Sequence, residues 1–219
     1  MMKEAQAFAG IDGAALASLR DALATQMSEK RYKHTLAVER MAIRLGELYS
    51  PEHIPHLRAA ALLHDITKEE TFEKQLQLCQ KFGIIVSETD RLSPKTFHAK
   101  TAAALIPEKY PQLAHPTVIS AVRWHTTGHA DMTICENLIY LADYIDDTRK
   151  FEDCVTLREL FWAADPASMN PAQREKHLMQ VLVTSYDMTV KALLEEGSPI
   201  SADTVLARND LLLRLKAQA

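Results

Sequence analysis

The chain has 219 residues, of which 47% are hydrophobic and 25% charged, with only six glycines; that length buries a core without disulfide or metal staples, and the scarcity of glycine favours helices with few turns. A formal charge of -4 leaves no electrostatic footprint for gripping a nucleic-acid polymer. Three cysteines, Cys79, Cys135 and Cys154, form no C-x-x-C pair, which argues against a disulfide framework or a thiolate zinc site and fits a reducing compartment.

In chain order, the opening "MMKEAQAFAG" lacks a long apolar core, and no later stretch approaches about 18 uninterrupted apolar residues, so the chain reads as cytoplasmic, without a membrane partner. Apolar residues recur with helical spacing over 14–27 and again over 32–49, where Val38, Met41, Leu45 and Leu48 step by three or four. Ser50 and Pro51 read as the N-cap and first residue of a helix that ends near Asp65. Further helices are predicted at 71–82, 96–106, 116–125, 132–148, 155–162, 171–196 and 202–215, with "GIIVS" at 83–87 as a connector. The expectation is an all-α, single-domain helical bundle over 1–219, with residues 151–219 completing it.

Nine histidines are present, and an unpaired imidazole is costly to bury. His34 precedes Val38, Met41 and Leu45 by helical steps, and His64 closes the run through Leu57 and Ala60. His98 aligns with Ala102 and Leu105, His125 with Val118 and Ala121, and Asp143 follows Ile139 by four. Alone, each is best explained as a hydrogen-bonded core group or a helix cap. With Asp65 they make four imidazoles and two carboxylates, a set that a divalent cation stabilises where six desolvated polar groups would be expensive. His64 and Asp65 point about 100° apart on a helix, so they share a cation only at its end, or serve two with the carboxylate bridging. Such donors suit Fe, Mn, Co, Ni or Zn. His53, His56, His115, His129 and His177 lie at helix starts, in a loop or among charges, and read as solvated.

"RYKHTLAVERMA", "AALLHDITKE", "FHAK", "VRWHTTGHADM" and "IYLADYIDDTR" resemble, in order and spacing, the HD-domain metal-dependent phosphohydrolases of the YqeK type, and "ISADTVLARNDLLL" resembles the end of the same family. The resemblance implies an all-α fold with an HD core over 28–150 and a di-metal centre, usually iron. It also implies symmetrical cleavage of bis(5'-nucleosyl) tetraphosphates into two nucleoside diphosphates. By resemblance, His34, His64, Asp65 and Asp143 hold the first metal, and His98 and His125 hold the second with a bridging Asp65. Lys68 then meets a substrate phosphate; otherwise it is a solvated lysine. Arg149 is assigned to phosphate charge, although "DDTR" replaces the more common proline-containing stretch. Thr126, Thr127 and Gly128 either present hydroxyls and N–H groups to phosphate or simply end a helix.

Water activated between two ions, attacking an inner phosphorus with Lys68 and Arg149 neutralising charge, is the chemistry this family implies. Walker-type, G-x-G-x-x-G and G-x-S-x-G motifs are missing from the sequence. The competing readings are hydrolysis of mononucleotides or deoxynucleotides and a non-catalytic nucleotide sensor. Phe161 and Trp162 are expected to pack in the core.

Overall fold

The computed structural model describes residues 10–218, and nearly all of the N-terminal stretch read above lies outside them. Eleven α-helices follow one another with no strand among the described residues. Asp12 accepts from the Ala14 amide and starts α1 (Gly13–Gln26), which buries Leu16, Leu19 and Leu23 on one face. Ser28 caps α2 (Glu29–Tyr49), whose buried stripe runs through His34, Val38, Met41 and Leu45. The single helix predicted from Pro51 is in fact a 3-10 turn, Pro51–His53, followed by α3 (Ile54–Leu63). Ser50 does not cap it. The Ser50 hydroxyl lies 2.8 Å from both Glu52 Oε1 and His53 Nδ1, so it is occupied by its own turn.

After α4 (Phe72–Lys81), "GIIVS" is a connector as expected, but Ser87 then caps a short unanticipated helix, α5 (Glu88–Arg91). α6 (Phe97–Lys109) continues past Pro107, beyond its expected end. Burial of Ile106 and Tyr110 offsets the hydrogen bond that the proline removes. α7 (Pro116–Trp124) begins on a proline, where the missing N–H costs nothing. α8 (Ile134–Ile145) opens with a capping box, Thr133 and Glu136, and is followed by α9 (Glu152–Ala163). α10 (Pro171–Glu195) has a second capping box, Asn170 and Gln173, and α11 (Ala202–Ala217) completes the order.

α2, α3, α7 and α8 pack on one another, α6 covers α7, and α9 and α10 lie against α8. A continuous cluster of buried apolar side chains runs from Leu16 to Leu211 and includes Phe161. Tyr186 of α10 stacks on Tyr140 of α8 at 4.7 Å. His177 is a correction to the solvated reading: it is buried, with Nε2 3.0 Å from the Phe161 carbonyl. The residues before it, Glu175 and Lys176, are charged, but helical periodicity places it on the same face as buried Val181. No described helix is long and apolar enough to cross a membrane.

Candidate metal centre

Five helices deliver polar groups to one place, mostly from their ends. His34 lies in the second turn of α2, His64 caps the end of α3, and His98 is the second residue of α6. His125 caps the end of α7, and Asp143 lies in the last turn of α8. At these ends helical geometry relaxes, so adjacent residues such as His64 and Asp65 can face the same space.

Asp65 lies at the middle. Its Oδ2 is 3.2 Å from His64 Nε2 and 3.6 Å from His34 Nε2, while Oδ1 is 3.2 Å from His98 Nε2 and 3.9 Å from His125 Nε2. The two oxygens therefore face different histidine pairs. Asp143 Oδ1 is 3.0 Å from His34 Nε2 and 3.8 Å from His64 Nε2, and the Nε2 atoms of His98 and His125 are 3.0 Å apart.

The imidazoles are oriented from behind. His64 Nδ1 is 2.7 Å from the Ala61 carbonyl and His125 Nδ1 is 2.7 Å from the Val122 carbonyl. A carbonyl only accepts, so each Nδ1 carries a proton and each ring turns its Nε2 inward. His34 Nδ1 faces Asp146 Oδ2 at 3.2 Å.

These groups fit a divalent metal. The Nε2 atoms of His34 and His64 are buried without a hydrogen-bond partner, a costly state that a cation relieves. Donor atoms of His34, His64 and Asp143 all lie within 4.8 Å of one another, as do those of His64, Asp65 and His125. Burial depresses the His98 and His125 pKa values, keeping the rings in the neutral form that binds metal. Burial would raise the Asp65 carboxyl, but His64 and His98 beside it hold it well below the usual range. For His34, burial lowers the pKa, but the Asp143 and Asp146 carboxylates beside the ring lift it to about 9.

Three cations border the cluster. Lys68 Nζ is 3.3 Å from both ring nitrogens of His98, and Arg31 pairs with Asp65 Oδ2. Burial lowers the Lys68 pKa, and Asp65 and Asp143 oppose that shift. Arg149, expected against phosphate, is engaged otherwise: Nη2 is 2.5 Å from Asp143 Oδ1 and Nε donates to the Asp143 carbonyl at 2.9 Å. Gly128 also departs from the phosphate reading. Its amide donates to the Trp124 carbonyl at 2.9 Å, and with φ +63° a Cβ there would lie 2.0 Å from Tyr186 Oη. Packing requires the glycine and a helix end uses its N–H. Thr127 Oγ1 donates to the Gly128 carbonyl, whereas the Thr126 hydroxyl is buried without a partner.

Sequence reasoning missed Arg31, Asp146 and Thr67. Arg31 precedes His34 by three, a same-face spacing that was there to be read. Asp146 shows only as one more acid in "YIDD". Thr67 Oγ1 is 3.0 Å from the His98 carbonyl and 2.8 Å from Thr101 Oγ1, which in turn donates to Gln75 Oε1 at 2.5 Å; Gln75 Nε2 donates to the Thr67 carbonyl. This buried network ties the turn bearing Asp65 and Lys68 to α4 and α6.

Residues 31–148 match the family model described as the HD domain. The chain is 29% identical over 187 residues to the symmetrical bis(5'-nucleosyl)-tetraphosphatase of Bacillus subtilis, covering 85% of this chain and 92% of the relative. It is 30% identical over 192 residues to the enzyme of the same name from Halalkalibacterium halodurans, covering 87% and 93%. Among solved structures, a predicted HD superfamily hydrolase involved in NAD metabolism from Clostridium acetobutylicum superposes with a TM-score of 0.78 at 30% identity, covering 90% of this chain and 97% of that one.

Proposed function

The chain belongs to the HD-domain family, and from that premise we propose that it is a metal-dependent phosphohydrolase that splits bis(5'-nucleosyl) tetraphosphates at the central anhydride into two nucleoside diphosphates. The observation that carries the reading is Asp65, one buried carboxylate whose two oxygens face separate histidine pairs beside Lys68 and Arg31. Two such relatives, each covered over most of its length, support the substrate class.

His34, His64, Asp65 and Asp143 would hold one ion, and Asp65, His98 and His125 a second. The thiol-free donor set suits borderline divalent metals, with iron the one that the family resemblance favours. When bound, such ions supply Lewis acidity, making water nucleophilic at neutral pH and drawing charge from phosphate oxygens. His64 and His125, locked through Nδ1, keep their lone pairs directed inward, and Arg149 and Asp146 hold Asp143 and His34 in place. Lys68 and Arg31 offset the negative charge of the phosphate chain. Water adds to one inner phosphorus, the central P–O–P bond breaks, and the bridging oxygen leaves with the other nucleoside diphosphate. That leaving group is weakly basic and needs no strong protein acid.

The reading belongs with cytoplasmic nucleotides, in keeping with three free, buried cysteines. Incubating metal-reconstituted protein with diadenosine tetraphosphate tests it. ADP as the only product supports it. AMP plus ATP overturns the symmetrical cut, and binding without product favours the sensor.

A further inference from the structure

The two helices that end on His64 and His125 also begin on histidines. His53 is the N-cap residue of α3 and His56 its third residue, and His115 is the N-cap residue of α7. The His56 and His115 rings meet edge-on with centroids 4.3 Å apart, and the His53 ring stands 5.6 Å from that of His56. α3 and α7 pack together, so this cluster lies at one end of the pair and the His64 and His125 rings, 5.0 Å apart, lie at the other. His56, expected in solvent, is half-buried.

Three features keep His56 and His115 uncharged. His115 Nδ1 accepts from the Thr117 amide at 3.2 Å, and a protonated ring cannot accept. His56 Nδ1 is buried without a partner, so a proton placed on it meets no acceptor. A positive charge at the start of a helix opposes the helix dipole, and here two helix starts meet. Burial, and then the neighbouring rings, lowers both pKa values: His115 and His53 act on His56, and His53 acts on His115. Glu52 has Oε1 3.1 Å from His53 Nδ1 and so serves His53. Cys135, at the start of α8, has its thiol pushed up to about 12, chiefly by burial and then by Glu136 and Glu52, and carries no charge at neutral pH. α2 approaches with Gly46 against Ile54 and Leu57, and the turn Pro111–Leu113 before His115 is uncharged. Among the described residues no carboxylate acts on His56.

We propose that His53, His56 and His115 form an acid-sensitive latch between α3 and α7: protonation releases the cap on α7 and parts the two helix starts, and the loosened pair holds metal less firmly at its far end. That far end is tied down, because Thr204 Oγ1 donates to the Thr127 carbonyl at 3.0 Å. α7 therefore pivots about the turn that carries His125. An imidazole with a lowered pKa leaves stability intact above the ordinary 6.5 and removes it as the pH falls through the folded value. The latch needs a metal at the centre and no particular substrate, so it stands apart from the phosphohydrolase reading.

The test uses zinc-loaded protein, with histidine ring signals followed by NMR from about pH 8 to 5, beside melting temperatures and the rate of zinc loss to a chelator at about pH 7.5 and 5.5. His115→Asn keeps a capping oxygen that does not titrate, and His56→Gln removes the second basic ring. Acid also protonates the ligands themselves, a part common to parent and variants. In the parent, the His56 and His115 signals are expected to titrate below 6.5. The acid-induced fall in melting temperature is expected to shrink to about half or less in the double variant, and the quickening of zinc loss to shrink at least about threefold. Midpoints at or above 6.5 for both rings overturn the proposal, and so does an equal fall in melting temperature for parent and double variant. Zinc loss that quickens equally in both overturns it too. The NMR titration needs only the parent's fold, so a variant that fails to fold leaves the proposal open to refutation.

Discussion

His64 and His125 are built alike at the ends of two different helices: each ring directs Nδ1 at the carbonyl three residues before it, Ala61 or Val122, at 2.7 Å. The last carbonyls of a helix have no intrahelical donor, so each histidine satisfies one and is oriented by it in the same contact. Replacing either side chain removes an inward donor and leaves the helix intact. His64→Ala and His125→Ala are expected to lose bound metal and to lower activity more than about 100-fold, beyond the range of outer-shell partners. Elemental analysis beside far-ultraviolet circular dichroism checks this; unchanged metal content in both variants refutes the ligand assignment.

Asp146 is fully buried and faces His34 Nδ1, with Thr148 donating to its other oxygen through both amide and hydroxyl. Asp146→Asn keeps the shape and removes the charge that orients the ring. Metal affinity is expected to fall about 10- to 100-fold with little change in helicity. A competition titration against a chelator measures it, and an unaltered affinity would show that Asp146 does not orient His34.

Thr67 secures the turn bearing Asp65 and Lys68. Thr67→Val leaves the His98 carbonyl and the Thr101 hydroxyl short of a buried partner, at about 1–3 kcal/mol. At about 2–4 °C per kcal/mol for a chain of this size, thermal unfolding should shift down by several degrees. A melting temperature equal to the parent's would contradict the role given to this network.

Gly128→Ala combines left-handed backbone, about 1–2 kcal/mol, with a clash on Tyr186 of about 1–3 kcal/mol. Adding Tyr186→Phe removes the hydroxyl nearest the new methyl and should restore part of the loss. Urea unfolding of the single and double variants gives the coupling, and strict additivity would mean that the hydroxyl is not the obstacle.

Glu136 supplies an acid-sensitive contact outside the centre. Burial raises its pKa, but hydrogen bonds from Ser120 and Thr133 outweigh it, with His129 Nε2 3.4 Å away, so the folded value lies below the ordinary 4.5. A depressed carboxyl contributes stability that is fully present above 4.5 and is lost as the pH falls through the folded value. The urea midpoint is expected to drop over that interval, and to drop less in Glu136→Gln. Parallel curves for the two proteins would exclude Glu136 as the source.

The inward-facing groups were legible because they obey helical spacing: His34 with Val38 and Met41, His125 with Val118 and Ala121. The same spacing gave most helices to within a few residues. What holds the histidines from behind was not legible. Asp146, Thr67 and the Ala61 and Val122 carbonyls act through contacts that depend on where helices end, and apolar periodicity does not report that. Arg149 and Gly128 show the converse: a motif suggested phosphate, whereas ion pairs to Asp143 and contact with Tyr186 account for the residues. His177 misled because neighbours along the chain are not neighbours on the helix face.

The hydrogen bond from Thr204 to the Thr127 carbonyl sets a limit on how far this protein can be trimmed. A version cut back to the matched residues, 31–148, would keep every histidine and aspartate of the cluster, yet it would open that carbonyl to water and strip the apolar cover from Tyr140. Anyone transplanting the centre into a smaller scaffold must therefore carry the tail along or rebuild its buttress.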